Sequence, residues 1–189
     1  MNKRCLLLLC LLFEALLGLG QDNNFVFSHF NESYGLSNNV VNCMIKDKRG
    51  YFWIGTYNGF NRFDGANFYP YKIRKGNNTL LNEVVHGLCE DKQGKIWGVT
   101  NSEIFSYDLS KDKFSNYECK SFGRPTGFTN ILYDHSGNIW ATSLVSLYKY
   151  NAAVNGFELI MNTTTVEDSI RHYTISKNGL IEDRQKGAL

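Results

Sequence analysis

Proline is scarce in this chain, with two residues in 189. Together with an aromatic content of 14%, that argues against a disordered, Pro-rich linker and for a packed composition of β type. An excess of one charge is missing too. Twenty Lys and Arg stand against 18 Asp and Glu, a formal net charge of +2. No Lys/Arg run of the kind that tracks phosphates occurs, so no nucleic acid contact is expected for this segment. Disulfide chemistry is poorly supplied. Beyond residue 20 only Cys43, Cys89 and Cys119 remain, an odd count without a Cys-x-x-Cys pair, which speaks against a disulfide framework and for free thiols acting as small hydrophobes. His29, His86, His135 and His172 are scattered without ligand spacing. No metal or other cofactor, and no catalytic residue, is therefore expected.

Long apolar runs are absent except at the very start. The string MNKRCLLLLCLLFEALLGLGQ has a basic opening (Lys3, Arg4), an apolar run over 5–13 and a Gly18-Leu19-Gly20 tail. This is the layout of a secretory signal peptide over residues 1–20, cleaved near Gly20 and Gln21. A permanent membrane anchor needs about 20 apolar residues, which this run does not reach. An exported chain is expected.

What is present is a repeat. DKRGYFWIGT (47–56) returns as DKQGKIWGVT (91–100) and as DHSGNIWATS (134–143), so that Trp53, Trp97 and Trp140 are 44 and 43 residues apart. Asp47, Asp91 and Asp134 keep that spacing, as do Gly50, Gly94 and Gly137. Farther on, Phe60, Ile104 and Leu147 correspond, then Phe63, Tyr107 and Tyr150. A fixed period of this length is the mark of a repeat architecture.

Each element of the repeat has a physical reading. Asp-x-x-Gly is hairpin chemistry: the Asp side chain accepts from nearby backbone N–H groups, and Gly takes the left-handed position that closes the turn. Asn58-Gly59 and Asp64-Gly65 supply two more turns. Four short strands follow for the first copy, at 40–46, 51–56, 60–64 and 67–72. Four-stranded antiparallel units at this period are blades of a β-propeller, an all-β fold. The tryptophans are expected between blades, where burying one contributes on the order of 4–6 kcal/mol as an upper bound. On this reading Trp97→Ala costs about 3–5 kcal/mol through cavity formation. Asp91→Ala costs only about 1 kcal/mol, the loss of a local turn bond.

The organisation expected is a signal peptide over 1–20, an outer strand over 21–34 that closes the last blade, and blades over 35–78, 79–122 and 123–165. Residues 166–189 begin a fourth, truncated blade: GLIEDRQKGAL halts where the next tryptophan is due. The chain reads as the front of a longer, partial propeller.

The stretch GLSNNVVNCMIKDKRGYFWIGTYNGFNRFDGANFYPYK (35–72) resembles the two-component regulator propeller repeat, carried here by Gly35, Leu36, Ser37, Asn39, Val41, Asp47, Gly50, Trp53, Gly55, Thr56, Gly59, Arg62 and Asp64. The second copy departs at Gly98-Val99, and the third at Ala141 and at Leu144-Val145-Ser146. The resemblance implies the periplasmic sensor region of a Bacteroidetes hybrid two-component system. It further implies an oligosaccharide ligand, further blades, an inner-membrane anchor and a histidine kinase half in the full-length protein, where a homodimer is also allowed. No phospho-accepting histidine box, Gly-rich nucleotide motif or receiver pattern occurs in these 189 residues, so the segment itself is not expected to be an enzyme. The alternatives are an inactive truncated propeller and, more remotely, part of a propeller lyase or hydrolase. Ligand contacts stay unassigned: Asn38, Asn39 and Asn82 suit a sugar, and suit turn formation equally.

Overall fold

In chain order the main strands fall into three antiparallel meanders. The structure, a computed structural model, describes residues 27–71, 74–75, 78–79, 83–120, 127–162, 173–175, 181–183 and 187–188. Residues 1–20, expected as a signal peptide, lie outside them. The first blade consists of β1 (Val41–Lys46), β2 (Phe52–Thr56), β3 (Gly59–Phe63) and β4 (Phe68–Tyr71). The second consists of β5 (Val85–Glu90), β6 (Ile96–Thr100), β7 (Ile104–Asp108) and β8 (Lys113–Tyr117). The third consists of β9 (Phe128–Tyr133), β10 (Ile139–Ser143), β11 (Ser146–Asn151) and β12 (Gly156–Asn162). In each, neighbours in sequence are neighbours in the sheet. The strands of the first blade begin and end within one residue of the expected bounds, because Asp-x-x-Gly, Asn-Gly and Asp-Gly fix the turns between them.

The third sheet gains a fifth strand. Residues Cys119–Lys120 of the connector from the second blade pair in parallel with Phe157 and Glu158 on the edge of β12, and the Phe157 N–H donates to the Glu118 carbonyl at 2.9 Å. The connector thus covers an edge that would otherwise offer unpaired backbone groups. Near the end of the chain, Tyr173–Ile175, Ile181–Asp183 and Gly187–Ala188 form a three-stranded antiparallel sheet.

The core lies between blades. First strands stand side by side, β1 against β5 and β5 against β9. One buried cluster joins Trp53 and Phe60 of the first blade to Val85, Leu88, Ile96, Phe105 and Tyr107 of the second. Another joins Trp97, Val99, Ile104 and Tyr117 of the second to Phe128, Ile131, Ala141 and Phe157 of the third. The leading face of the first blade shows what this packing covers elsewhere. Val85 and Phe128 are 0% and 2% exposed, whereas their counterpart Val41 is 49% exposed; Leu88 and Ile131 are 7% and 3%, whereas Met44 is 59%.

The departures from the repeat are matched across strands. Ile54 of β2 faces Asn61 of β3. At the same places in the second blade Gly98 faces Phe105, and in the third Ala141 faces Tyr148. A large residue facing a small polar one has become a small residue facing an aromatic ring. A methyl group added at Gly98 would fall within the space of the Phe105 ring.

Of the segment expected as an outer strand over 21–34, residues 27–34 are described, and no closing blade stands beside them among the described residues. Residues 27–31 hold no regular structure, and Glu32–Tyr34 form one 3-10 turn. A strand needs an edge to take its hydrogen bonds. Here the Asn31 side chain accepts from the Ser33 N–H at 2.9 Å, while the Phe30 ring packs on Phe63 and Phe68 at 5.3 and 5.5 Å.

Candidate functional site

The recurring Asp, Gly and Trp of the repeat meet at one end of each blade. Asp47 Oδ1 accepts from the backbone N–H groups of Arg49 and Tyr51 at 3.0 and 2.9 Å. Its Oδ2 accepts from the Trp53 indole Nε1–H at 2.8 Å. Asp91 does the same with Gln93, Lys95 and Trp97. Asp134 takes the Trp140 indole at 2.8 Å and both the backbone and side-chain N–H of Asn138. Gly50, Gly94 and Gly137 close the turns with φ of +93°, +80° and +86°, a conformation that glycine adopts without strain. These carboxylates are 7%, 5% and 2% exposed, and their oxygens are occupied. Burial raises the Asp134 carboxyl, but the Trp140 and Asn138 hydrogen bonds and backbone bonds outweigh it and hold it below the ordinary value of 3.8.

This arrangement corrects the separation of turn from core. Each Asp was expected to act within its turn and each Trp between blades. One carboxylate does both jobs, fixing the turn with one oxygen and satisfying the indole with the other. Trp53 and Trp97 are 0% and 3% exposed, each facing the next blade: Trp53 packs on Tyr107 at 5.7 Å and Trp97 on Tyr150 at 5.0 Å. Trp140 is half-buried on the trailing side of the third blade. The three thiols are free and half-buried. Burial pushes Cys43 up to about 11 and Cys119 up to about 12, and raises Cys89 further.

The opposite end carries the turns between second and third strands and the entries into first strands. The Gly59 N–H donates to the Glu83 carbonyl at 3.0 Å, and the Gly127 N–H to the Asn101 carbonyl at 2.6 Å. Each such turn is thereby tied to the entry of the next blade. The turns are Tyr57-Asn58, Asn101-Ser102-Glu103 and Leu144-Val145, and the Glu83 carboxylate at this end accepts from the Ser102 hydroxyl at 3.0 Å. Asn38 and Asn39 act as turn formers, Asn38 Oδ1 accepting from the Val40 N–H and Asn39 Oδ1 from the Glu32 N–H, both at 2.9 Å. Asn82 lies outside the described residues.

A feature that the sequence reading missed recurs at this end. Pairing of the first strand with the second skips one residue in every blade, between Val41 and Cys43, Val85 and Gly87, and Phe128 and Asn130. Asn42, His86 and Thr129 are the extra residues. Asn42 Nδ2 donates to the Val85 carbonyl of the next blade at 3.3 Å. His86 Nε2 bonds Asn101 Oδ1 at 2.7 Å. Thr129 Oγ1 bonds Thr142 Oγ1 at 3.1 Å. The signal available was a polar residue in every copy after an apolar one.

Residues 35–58 and 79–102 match the model of the family described as "Two component regulator propeller". The matched segments are the opening stretches of the first and second blades. A 70-residue stretch of this propeller chain is 37% identical to histidine kinase P4 of Formosa agariphila, covering 37% of the chain and 5% of that protein. The fold is similar to that of the extracellular domain of BT4673 from B. thetaiotaomicron, with a TM-score of 0.67 at 21% identity, over 88% of this chain and 23% of that one. It is likewise similar to the extracellular domain of the proposed hybrid two component system BT3049 from the same organism, with a TM-score of 0.63 at 22% identity, over 86% and 23%. A virginiamycin B lyase from Staphylococcus aureus shares the fold at 13% identity, with a TM-score of 0.64 over 85% and 53%. The propeller repeats described here therefore span about a quarter of the sensor domains they match and a small part of the kinase.

Proposed function

We propose that this chain is sensor propeller from an exported, periplasmic region of a hybrid two-component regulator, which binds an oligosaccharide and passes occupancy to a histidine kinase on the same polypeptide. The observation that carries this reading is the match of residues 35–58 and 79–102 to the regulator propeller repeat. Likeness to a histidine kinase over 70 residues supports it, as does likeness to extracellular domains. On this reading further blades complete the propeller, residues 1–20 direct export, and dimerisation of the whole protein is open to the kinase half.

We read the segment as a binding module without chemistry of its own, although a lyase shares its fold. Acid–base catalysis needs carboxyl groups free to reach a substrate. Asp47, Asp91 and Asp134 instead hold the indoles and turns behind them. The test is genetic. Trp97→Ala in the chromosomal copy should abolish induction of the genes that respond to the cognate polysaccharide, as deletion of the locus does. Unchanged transcription on every polysaccharide the organism grows on would overturn the sensing role.

A further inference from the structure

We propose that the repeated bulge builds the ligand contact surface: Asn42, His86 and Thr129, with Tyr57 and Asn101 of the neighbouring turns, form a polar rim for a neutral polyhydroxylated ligand spanning adjacent blades. The proposal rests on the sensing reading and names the site it lacks.

A bulge gives up a regular place in the ladder and re-aims a side chain. Here it does so at one register in all three blades. The residue re-aimed differs in each, as amide, imidazole and hydroxyl, yet is polar every time. Exposure alone does not dictate this, for Leu144 at the same end is 71% exposed and apolar. Internal bonds orient the three groups without exhausting them. Asn42 gives one amide N–H to the Val85 carbonyl, which leaves its Oδ1 and a second N–H. Asn101 Oδ1 only accepts, so His86 Nε2 donates in their bond, which leaves Nδ1 outside it. Thr129 keeps its hydroxyl at the surface beside that of Thr142. The row offers donors and acceptors together, which suits hydroxyl groups, themselves both donor and acceptor. Tyr57, 59% exposed, and Leu144 add apolar area beside the row, as the C–H faces of a sugar ring require. The fixed charges beside the row are carboxylates, Glu83 accepting from the Ser102 hydroxyl at 3.0 Å and Glu103 in the same turn, and these repel a sulfate or carboxylate.

The test uses the full 189-residue chain, fluorescently labelled, on an array of neutral oligosaccharides printed beside sulfated and uronate-containing ones. Binding to neutral glycans is expected. The triple substitution Asn42→Ala, His86→Ala and Thr129→Ala should weaken it by at least about tenfold, since each lost hydrogen bond is worth several-fold. His86→Gln, which keeps a donor and an acceptor, should stay within about threefold, and Lys92→Ala at the far end should change nothing. Near-UV circular dichroism checks that the triple variant stays folded. Binding that survives the triple substitution overturns the rim and leaves the carbohydrate reading standing. Binding confined to charged glycans overturns the neutral ligand class. An array with no bound glycan overturns the rim and the carbohydrate reading together.

Discussion

Replacing Asp91 by alanine is the perturbation that separates the structure from the simpler reading of the repeat. As a turn residue alone, Asp91 would be worth about 1 kcal/mol. The structure gives it three partners: Oδ1 takes the Gln93 and Lys95 N–H groups at 2.9 Å each, and Oδ2 takes the Trp97 indole at 2.8 Å. The first two donors sit at a surface turn where water replaces the carboxylate, so their loss costs about 1 kcal/mol in all. The indole cannot be rescued in that way. Trp97 is 3% exposed and packed against Tyr117 at 4.7 Å, and a buried donor left without an acceptor costs about 1–3 kcal/mol. The expected total is about 3 kcal/mol, comparable with loss of the tryptophan side chain itself.

A double-mutant cycle tests this directly. Trp97→Phe removes the donor while keeping most of the ring, so Asp91→Ala in that background should cost only the turn contribution, about 1 kcal/mol. The coupling between the two positions should then be about 2 kcal/mol. The assay is urea unfolding followed by circular dichroism, with fluorescence of Trp53 and Trp140 as a second probe. A coupling below about 0.5 kcal/mol would refute the shared carboxylate and restore the separate turn and core assignments.

Other perturbations follow from the same geometry. Asp134 is held below the ordinary 3.8 by hydrogen bonds that outweigh burial; its contribution is therefore present above that value and lost as pH falls through the lowered one, and Asp134→Asn should flatten this acid limb of stability against pH. With the Cys43 thiol at about 11, roughly one molecule in a thousand is thiolate at pH 8, so a thiol reagent should label Cys43 slowly in the native chain and Cys43, Cys89 and Cys119 promptly in denaturant. Val41→Lys with Met44→Glu should change the unfolding midpoint little, since both side chains are exposed. The same pair should suppress self-association by light scattering, whereas Leu88→Glu at a buried counterpart should unfold the chain. Gly98→Ile alone should destabilise by at least about 1–3 kcal/mol through overpacking against Phe105, and adding Phe105→Asn should recover part of that by recreating the Ile54–Asn61 pair of the first blade.

How much of this was legible depends on how local each cause is. The turns are local: Asp47 with Gly50, Asn58 with Gly59 and Asp64 with Gly65 fix hairpins within a few residues, and strand bounds followed to within one residue. The bond from Asp47 to Trp53 joins residues six apart across a turn and onto a strand. Whether the indole swings back to the carboxylate depends on strand twist and on the next blade pressing Tyr107 against it, which no single repeat contains. The Gly98–Phe105 exchange was visible as a departure but not as a compensation, because its partner is fixed by register rather than by spacing from the motif.

The bulge row lay furthest from local reading, and its case shows what three copies add. In one repeat, Asn42 between Val41 and Cys43 is an ordinary polar interruption, and nothing at that spot says that a strand has slipped by a residue. Across the copies, Asn42, His86 and Thr129 share a position, a slip in register and a polar character, while their chemistry varies. Structural residues of the repeat behave in the opposite way: Asp47, Asp91 and Asp134 are one residue type making one set of bonds. A fold that stacks like units repeats a residue type where each unit must make the same bonds. Variation at a fixed, solvent-reaching and re-aimed position is therefore what a binding surface looks like when each blade contributes a different group to one ligand.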